Sequence, residues 1–361
     1  MPPNRKARMR TTIALAACTL LFHACARESA PAPVISSDYT SNTGRDDVLS
    51  GGVKMIPVNT QKGTFRVWTK RVGNNPRIKV LLLHGGPGMT HEYLEAFDSY
   101  FPGAGIEYYY YDQLGSFYSD QPDEPDLWEL PRFVEEVEQV RQALGLDESN
   151  FYLFGQSWGG LLAIEYALKY QQHLKGLVIS NMMASVPAYN DYAKRVLMPA
   201  MDQAALAEIQ RLEATGRTED PRYMELLIPK HYQLHFLRMP ADQWPDPVQR
   251  TFKHVNPKVY VPMQGTSELA ASGKLVNWDR VADLPKIAVP TLVIGARYDT
   301  MDPAHMEMMA GKVQKGRYLF CPNGSHLAQY DDQKVYMAGV LRFIKDVDAG
   351  RLDAREGRHG A

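Results

Sequence analysis

The chain has 361 residues, 45% of them apolar, and a formal net charge of −1. That length can fill one large core with an inserted lobe, while the balanced charge leaves no global field to draw in nucleic acid. Of the three cysteines only Cys321 lies beyond residue 25, which excludes a disulfide within the folded part.

Arg5, Lys6, Arg8 and Arg10 precede an apolar run from Thr11 to about Ala24. The run is shorter than the roughly 20 residues a spanning helix needs, and a charged start with small residues at its end reads as a secretory signal over residues 1–24. Three processing exits compete: before Cys18, before Cys25, or at Ala24-Cys25-Ala26 by an ordinary signal peptidase. All three imply export, to the periplasm, and the first two place a lipid anchor on Cys18 or Cys25. Residues 25–50, rich in Ala, Pro, Ser, Asp and Asn, read as a flexible tether.

The core follows. Period-two alternation predicts a strand over 65–72, and short apolar runs predict strands over 78–83, 106–111, 151–154 and 177–180. Tyr108 to Tyr111 read as aromatics filling both faces of a sheet. Pro131 opens a helix to Leu144 with one apolar face, and Ser157 to Tyr170 is a second. From Met183 to Asp283 the alternation gives way to a helical, proline-interrupted stretch. It resumes with a strand at 291–295, a helix at 303–313, a strand at 317–321 and a helix at 335–347, before a frayed tail at 349–361. Strands alternating with helices predict an α/β fold: a mostly parallel sheet covered on both faces. Its core halves are 51–182 and 284–348, with a helical cap, 183–283, inserted between them.

Gly155-Gln156-Ser157-Trp158-Gly159 lies between a predicted strand and a predicted helix. There a strained turn would lift the Ser157 hydroxyl above the sheet edge, the nucleophile elbow of the α/β-hydrolase fold. A serine hydroxyl needs a base, and in this arrangement an acid and then a histidine follow along the chain. Asp299 and His326 fill those places, each in a loop after a strand. Asp302 is the rival acid, but before Pro303 it reads as a helix N-cap. The oxyanion donors are expected at the N–H of Trp158 and, in His84-Gly85-Gly86-Pro87-Gly88, at Gly86, since Pro87 has no N–H. No metal or organic cofactor is implied. His84 and His91 lack zincin spacing, and no glycine loop of the dinucleotide or phosphate type follows a strand.

The His84–Gly88 loop, Tyr111-Asp112-Gln113 and Gly155–Gly160 together closely resemble the motifs of proline iminopeptidases, over about residues 50–347. That group of α/β-hydrolases includes the tricorn-interacting aminopeptidase and L-amino-acid amidases. The resemblance implies removal of an N-terminal residue, usually proline, from short peptides. An enclosed ammonium group needs an anion, and the family's amine-binding glutamate falls at Glu268, with Glu92 a weaker candidate. Trp244, Tyr232, Tyr189 and Phe236 are candidate pocket aromatics. Two departures stand out. Thr300 occupies the place of a second amine-binding glutamate, and Phe117 that of a usual glycine; either would suit an amidase acting on amino-acid amides. A carboxylesterase and a non-catalytic binding protein of the same fold are the other readings.

Overall fold

The computed structural model describes residues 38–351; the predicted signal, the first part of the tether and the end of the tail lie outside them. Eight strands form one sheet: β1 (Val53–Thr60), β2 (Gly63–Val72), β3 (Lys79–Leu83), β4 (Glu107–Asp112), β5 (Phe151–Gln156), β6 (Gly176–Ser180), β7 (Thr291–Ala296) and β8 (Gly316–Cys321). Their order is β1-β2-β4-β3-β5-β6-β7-β8. β2 runs antiparallel to β1 and β4, and every later pairing is parallel. The loops after β3, β5, β6, β7 and β8 therefore leave the sheet at one edge, where open α/β sheets bind ligands. Because β3 neighbours β5, the His84 loop is delivered beside Ser157.

Strands β3 to β7 read as near-continuous apolar runs because helices cover both their faces. Helix α1 (Leu130–Ala143) buries Phe133, Val137 and Val140, and α2 (Trp158–Tyr170) buries Leu161, Leu162 and Ile164. Each such side chain contributes about 1.5–3 kcal/mol by leaving water. The four tyrosines of β4 do alternate between faces, and each hydroxyl also reaches a carboxylate. Tyr108 and Tyr110 donate to Asp98, Tyr109 to Glu107 and Tyr111 to Glu136. β1 was not anticipated; Pro57 and Asn59 break its pattern, and Pro is tolerated because the strand lies at the edge.

One expectation is corrected. The tether does not extend to residue 50, because residues 38–50 are docked. Tyr39 is buried and its hydroxyl donates to Ile106 O at 2.8 Å. Asp47 accepts two hydrogen bonds from the Arg71 guanidinium, 2.7 and 2.8 Å, in a buried fork. The partner of each lies far along the chain, so local composition could not reveal the contact.

The insertion between β6 and β7 is helical, as expected. Asp202, Asp220 and Asn256 cap its helices by accepting from backbone N–H groups. Ile209, Leu212, Tyr223, Leu227 and Leu269 pack in a small core of its own. The stretch Ile228–Phe236 is wound as a π-helix.

Candidate active site

Ser157 sits directly after β5 and before α2 with φ 56 and ψ −127, a left-handed conformation that costs an L residue energy. The flanking glycines are required by contact. A Cβ on Gly155 would overlap the Gly159 carbonyl, and one on Gly159 would overlap that of Leu83. The turn holds Ser157 at the N-terminus of a 13-residue helix, where unpaired N–H groups favour negative charge.

The sheet edge brings the three expected residues to one place. His326 Nδ1 lies 2.7 Å from Asp299 Oδ1, and Ser157 and His326 line the same cavity. Asp299 and His326 are almost wholly buried. Burial alone would push the imidazole pKa down; the charge and hydrogen bond of Asp299, helped by Glu268, overcome it and raise it above 6.5. Neither His326 Nε2 nor Ser157 Oγ has a hydrogen-bond partner among the described residues. The bond between such a pair often forms only with substrate bound. Asp302 caps the helix Pro303–Lys312 through Ala304 N, as expected of it.

The His84 loop is braced from three sides. Gly85 N–H donates to Tyr93 OH, which donates to Gln156 Oε1 next to the nucleophile. Burial pushes His84 down to about 4, so its imidazole is neutral. Nε2 accepts from Gln113 N–H at 3.1 Å, which leaves Nδ1–H to donate to Gly85 O at 2.8 Å. The Gly85 carbonyl and the Gly86 N–H share one planar peptide and point oppositely, so this bond turns the Gly86 N–H away from His84. That N–H finds no acceptor among the described residues. Gln113 completes the brace by accepting from Trp158 Nε1 and donating to His84 O.

The two glutamates differ. Glu268 lines the cavity with Ser157 and His326. Its Oε1 accepts from Tyr260 OH, its other oxygen has no partner among the described residues, and burial raises its pKa above 4.5. Glu92 does not line the cavity. Its carboxylate is committed to Arg250, His254 and Thr90, and ties the loop after β3 to the cap. The expectation of an amine-binding role for Glu92 is corrected accordingly: proximity in sequence to the oxyanion loop did not decide where the side chain points.

Of the four candidate aromatics Phe236 lines the cavity. Trp244 stacks behind it on Phe252, while the hydroxyls of Tyr189 and Tyr232 hold the backbone of Glu268. Met89, Tyr93, Val248, Thr251, Phe252 and Leu327 complete the walls without having been anticipated. Phe117, at φ 26, keeps the left-handed backbone that suits glycine and stacks on His254 at 4.0 Å. Thr300 is fully buried, bonded to Asp299, and lines no part of the cavity. The π-helix of the cap joins the histidine loop directly. His326 N–H donates to His235 O and Leu327 N–H to Phe236 O, both 2.9 Å.

A family model described as the alpha/beta hydrolase fold matches residues 79–333, so fold and site define a hydrolase of that class. A proline iminopeptidase of Flavobacterium johnsoniae is 58% identical over 299 residues, covering 83% of this chain and 100% of that protein. One from Elizabethkingia meningoseptica is 59% identical over 296 residues, 81% of this chain and 98% of that one. The solved proline iminopeptidase of Mycobacterium smegmatis superposes with a TM-score of 0.71 at 26% identity, over 82% and 99% of the two chains. The chain belongs to the proline iminopeptidase family.

Proposed function

We propose that the protein is a serine aminopeptidase that releases N-terminal residues, preferentially proline, from short peptides. One observation carries this reading. In an otherwise apolar cavity, the side-chain atoms left without partners among the described residues are a hydroxyl, an imidazole nitrogen and a carboxylate oxygen, on Ser157, His326 and Glu268. Tyr93, Gln156 and Thr251, the other linings with polar side-chain atoms, are committed to neighbours. A nucleophile, its base and an anion facing apolar walls suit a small apolar residue bearing a cation.

In this mechanism His326 Nε2 takes the Ser157 proton as Oγ attacks the first carbonyl of the substrate. The N–H groups of Gly86 and Trp158 hold the oxyanion. His326 then protonates the departing amine, leaving an aminoacyl ester on Ser157, which water cleaves by the reverse sequence. Asp299 keeps Nδ1–H in place and balances the imidazolium. Glu268 pairs with the substrate ammonium, and Phe236, Phe252 and Val248 surround the ring. A panel of aminoacyl arylamides with free and acylated amines tests this. Prolyl arylamide should be turned over fastest, and blocking its amine should abolish most of the rate. Equal rates on free and blocked substrates would remove the role of Glu268.

A second reading, release of ammonia from amino-acid amides, is favoured by Thr300, which leaves one carboxylate for the amine. Prolinamide turned over better than any prolyl dipeptide would decide for it. Export and lipid anchoring remain part of the proposal, supported by the cations and apolar run before Cys18 and Cys25. Mass spectrometry of the mature N-terminus tests them: a diacylglyceryl cysteine at either position would support the anchor, cleavage near Ala24 without lipid would support export and remove the anchor, and an uncleaved Met1 would overturn export.

A further inference from the structure

The Asp299 carboxylate is wholly buried, and its one ion-pair partner among the described residues is His326. A buried carboxylate stays ionised only if hydrogen bonds replace water, so its donors matter. Oδ1 accepts from His326 Nδ1 at 2.7 Å, Met301 N–H at 3.1 Å and Thr300 Oγ1 at 3.3 Å. Oδ2 has a single donor among the described residues, Asn181 Nδ2 at 2.7 Å. The same amide nitrogen donates to Ser325 O, the carbonyl preceding His326, at 3.2 Å. One NH2 group thus gives one proton to the acid loop and one to the base loop.

The orientation of that amide is itself fixed. Its Oδ1 accepts from Ser180 Oγ at 2.7 Å, and Ser180 Oγ meets Tyr336 OH at 2.7 Å. The backbone of Asn181, the first residue after β6, is anchored through its N–H to Ile294 O on β7 and takes φ 50, a conformation that Asn tolerates better than most side chains. Asn181 is completely buried and does not line the cavity.

We propose that Asn181 is a positioning residue for the hydrolysis, setting the direction of the Asp299–His326 hydrogen bond by holding both of its loops. The proposal rests on the roles given above to Ser157, Asp299 and His326. Freed at Oδ2, the carboxylate can rotate, and the imidazole loses the alignment that presents Nε2 to Ser157. A displacement of about 1 Å in such a group costs up to ~10²-fold in rate. Substrate contacts are untouched, so the loss falls on kcat.

Two variants separate the side chain from the backbone. Asn181→Gly keeps the left-handed φ and removes the amide. Asn181→Asp keeps the shape but replaces the donor to Oδ2 with a second carboxylate, adding negative charge beside Asp299 and His326. Active-site titration with a fluorophosphonate counts folded, competent molecules before each assay on prolyl arylamide. Per titrated site, Asn181→Gly should lower kcat by about 10–100-fold with KM within about threefold. Asn181→Asp should lower kcat further and move its acid limb to higher pH. The other charged groups whose fields reach His326, Glu268 and Asp331, are unchanged in both variants. Unchanged kcat per titrated site and an unmoved acid limb in both would overturn the inference, as would a loss confined to the titrated fraction, which is what a merely structural role gives. Ser157→Ala, run alongside, separates the two levels. If it still cleaves, the roles of the triad fail; if it is silent while the Asn181 variants match the parent, only the role of Asn181 fails.

Discussion

The floor of the cavity comes from the sheet edge and its roof from the insertion between β6 and β7. On the floor, Ser157, Gly86 and His326 ride on loops whose backbones are fixed by glycine-limited contacts, a strained φ and hydrogen bonds among His84, Gln113, Trp158 and Asp299. On the roof, Val248 and Phe252 are held mainly by packing, Phe236 is also bonded through its carbonyl to the histidine loop, and one carboxylate, Glu268, is carried in among them. Chemistry needs tenths of an ångström, and main-chain bonding supplies that. Selection needs shape and one charge, and side-chain packing supplies those.

Four substitutions sharpen this contrast. Ser157→Ala, on the floor, should lower prolyl arylamide cleavage by about 10⁴–10⁶-fold and abolish fluorophosphonate labelling. Gly86→Ala should cost about 10²–10³ in kcat with little change in KM. Gly86 has φ 113, and an added Cβ would lie 2.7 Å from Met89 N, so the peptide must turn. On the roof, Glu268→Gln should lower kcat/KM by about 10²-fold for free-amine substrates and leave acylated ones unchanged.

Glu268→Gln has two further signatures. Burial raises the Glu268 pKa, so the folded protein favours its neutral form. Stability from this group is therefore present below the unfolded value of 4.5 and lost as pH rises through the raised folded one. Calorimetry at neutral pH should show the Gln variant melting higher than the parent. The charge of Glu268 also helps to raise His326. The acid limb of kcat/KM, set by protonated His326, which cannot act as base, should move to lower pH in the variant. The smallest effect is expected from Glu92→Gln. The ratio of free to blocked rates should stay as in the parent, and the unfolding midpoint should fall by about 2 °C as the contact with half-exposed Arg250 weakens.

How far each part could be read from sequence follows from what fixes it. Ser157, Asp299 and His326 were legible because the fold dictates their order and each follows an apolar strand. Gly86 was singled out by elimination of Pro87. Glu268 was reachable only through family resemblance, since nothing local distinguishes a carboxylate facing a cavity from one facing water. Glu92 misled for the same reason: its partners Arg250 and His254 lie more than 150 residues on. Asn181 carries no motif. Its meaning is set by three loops that only the parallel order β6-β7-β8 brings together. Arg71 and Asp47 hid the docking of residues 38–50 in the same way.

The main-chain bonds from His235 and Phe236 to His326 and Leu327 bear on how such enzymes can be recombined. A chimera that takes its whole insertion from a relative replaces part of the scaffold of the general base along with the specificity surface. Crossovers that retain 228–236 and exchange the helix Asp246–His254 instead would alter which residue is accepted while leaving the imidazole on its native supports.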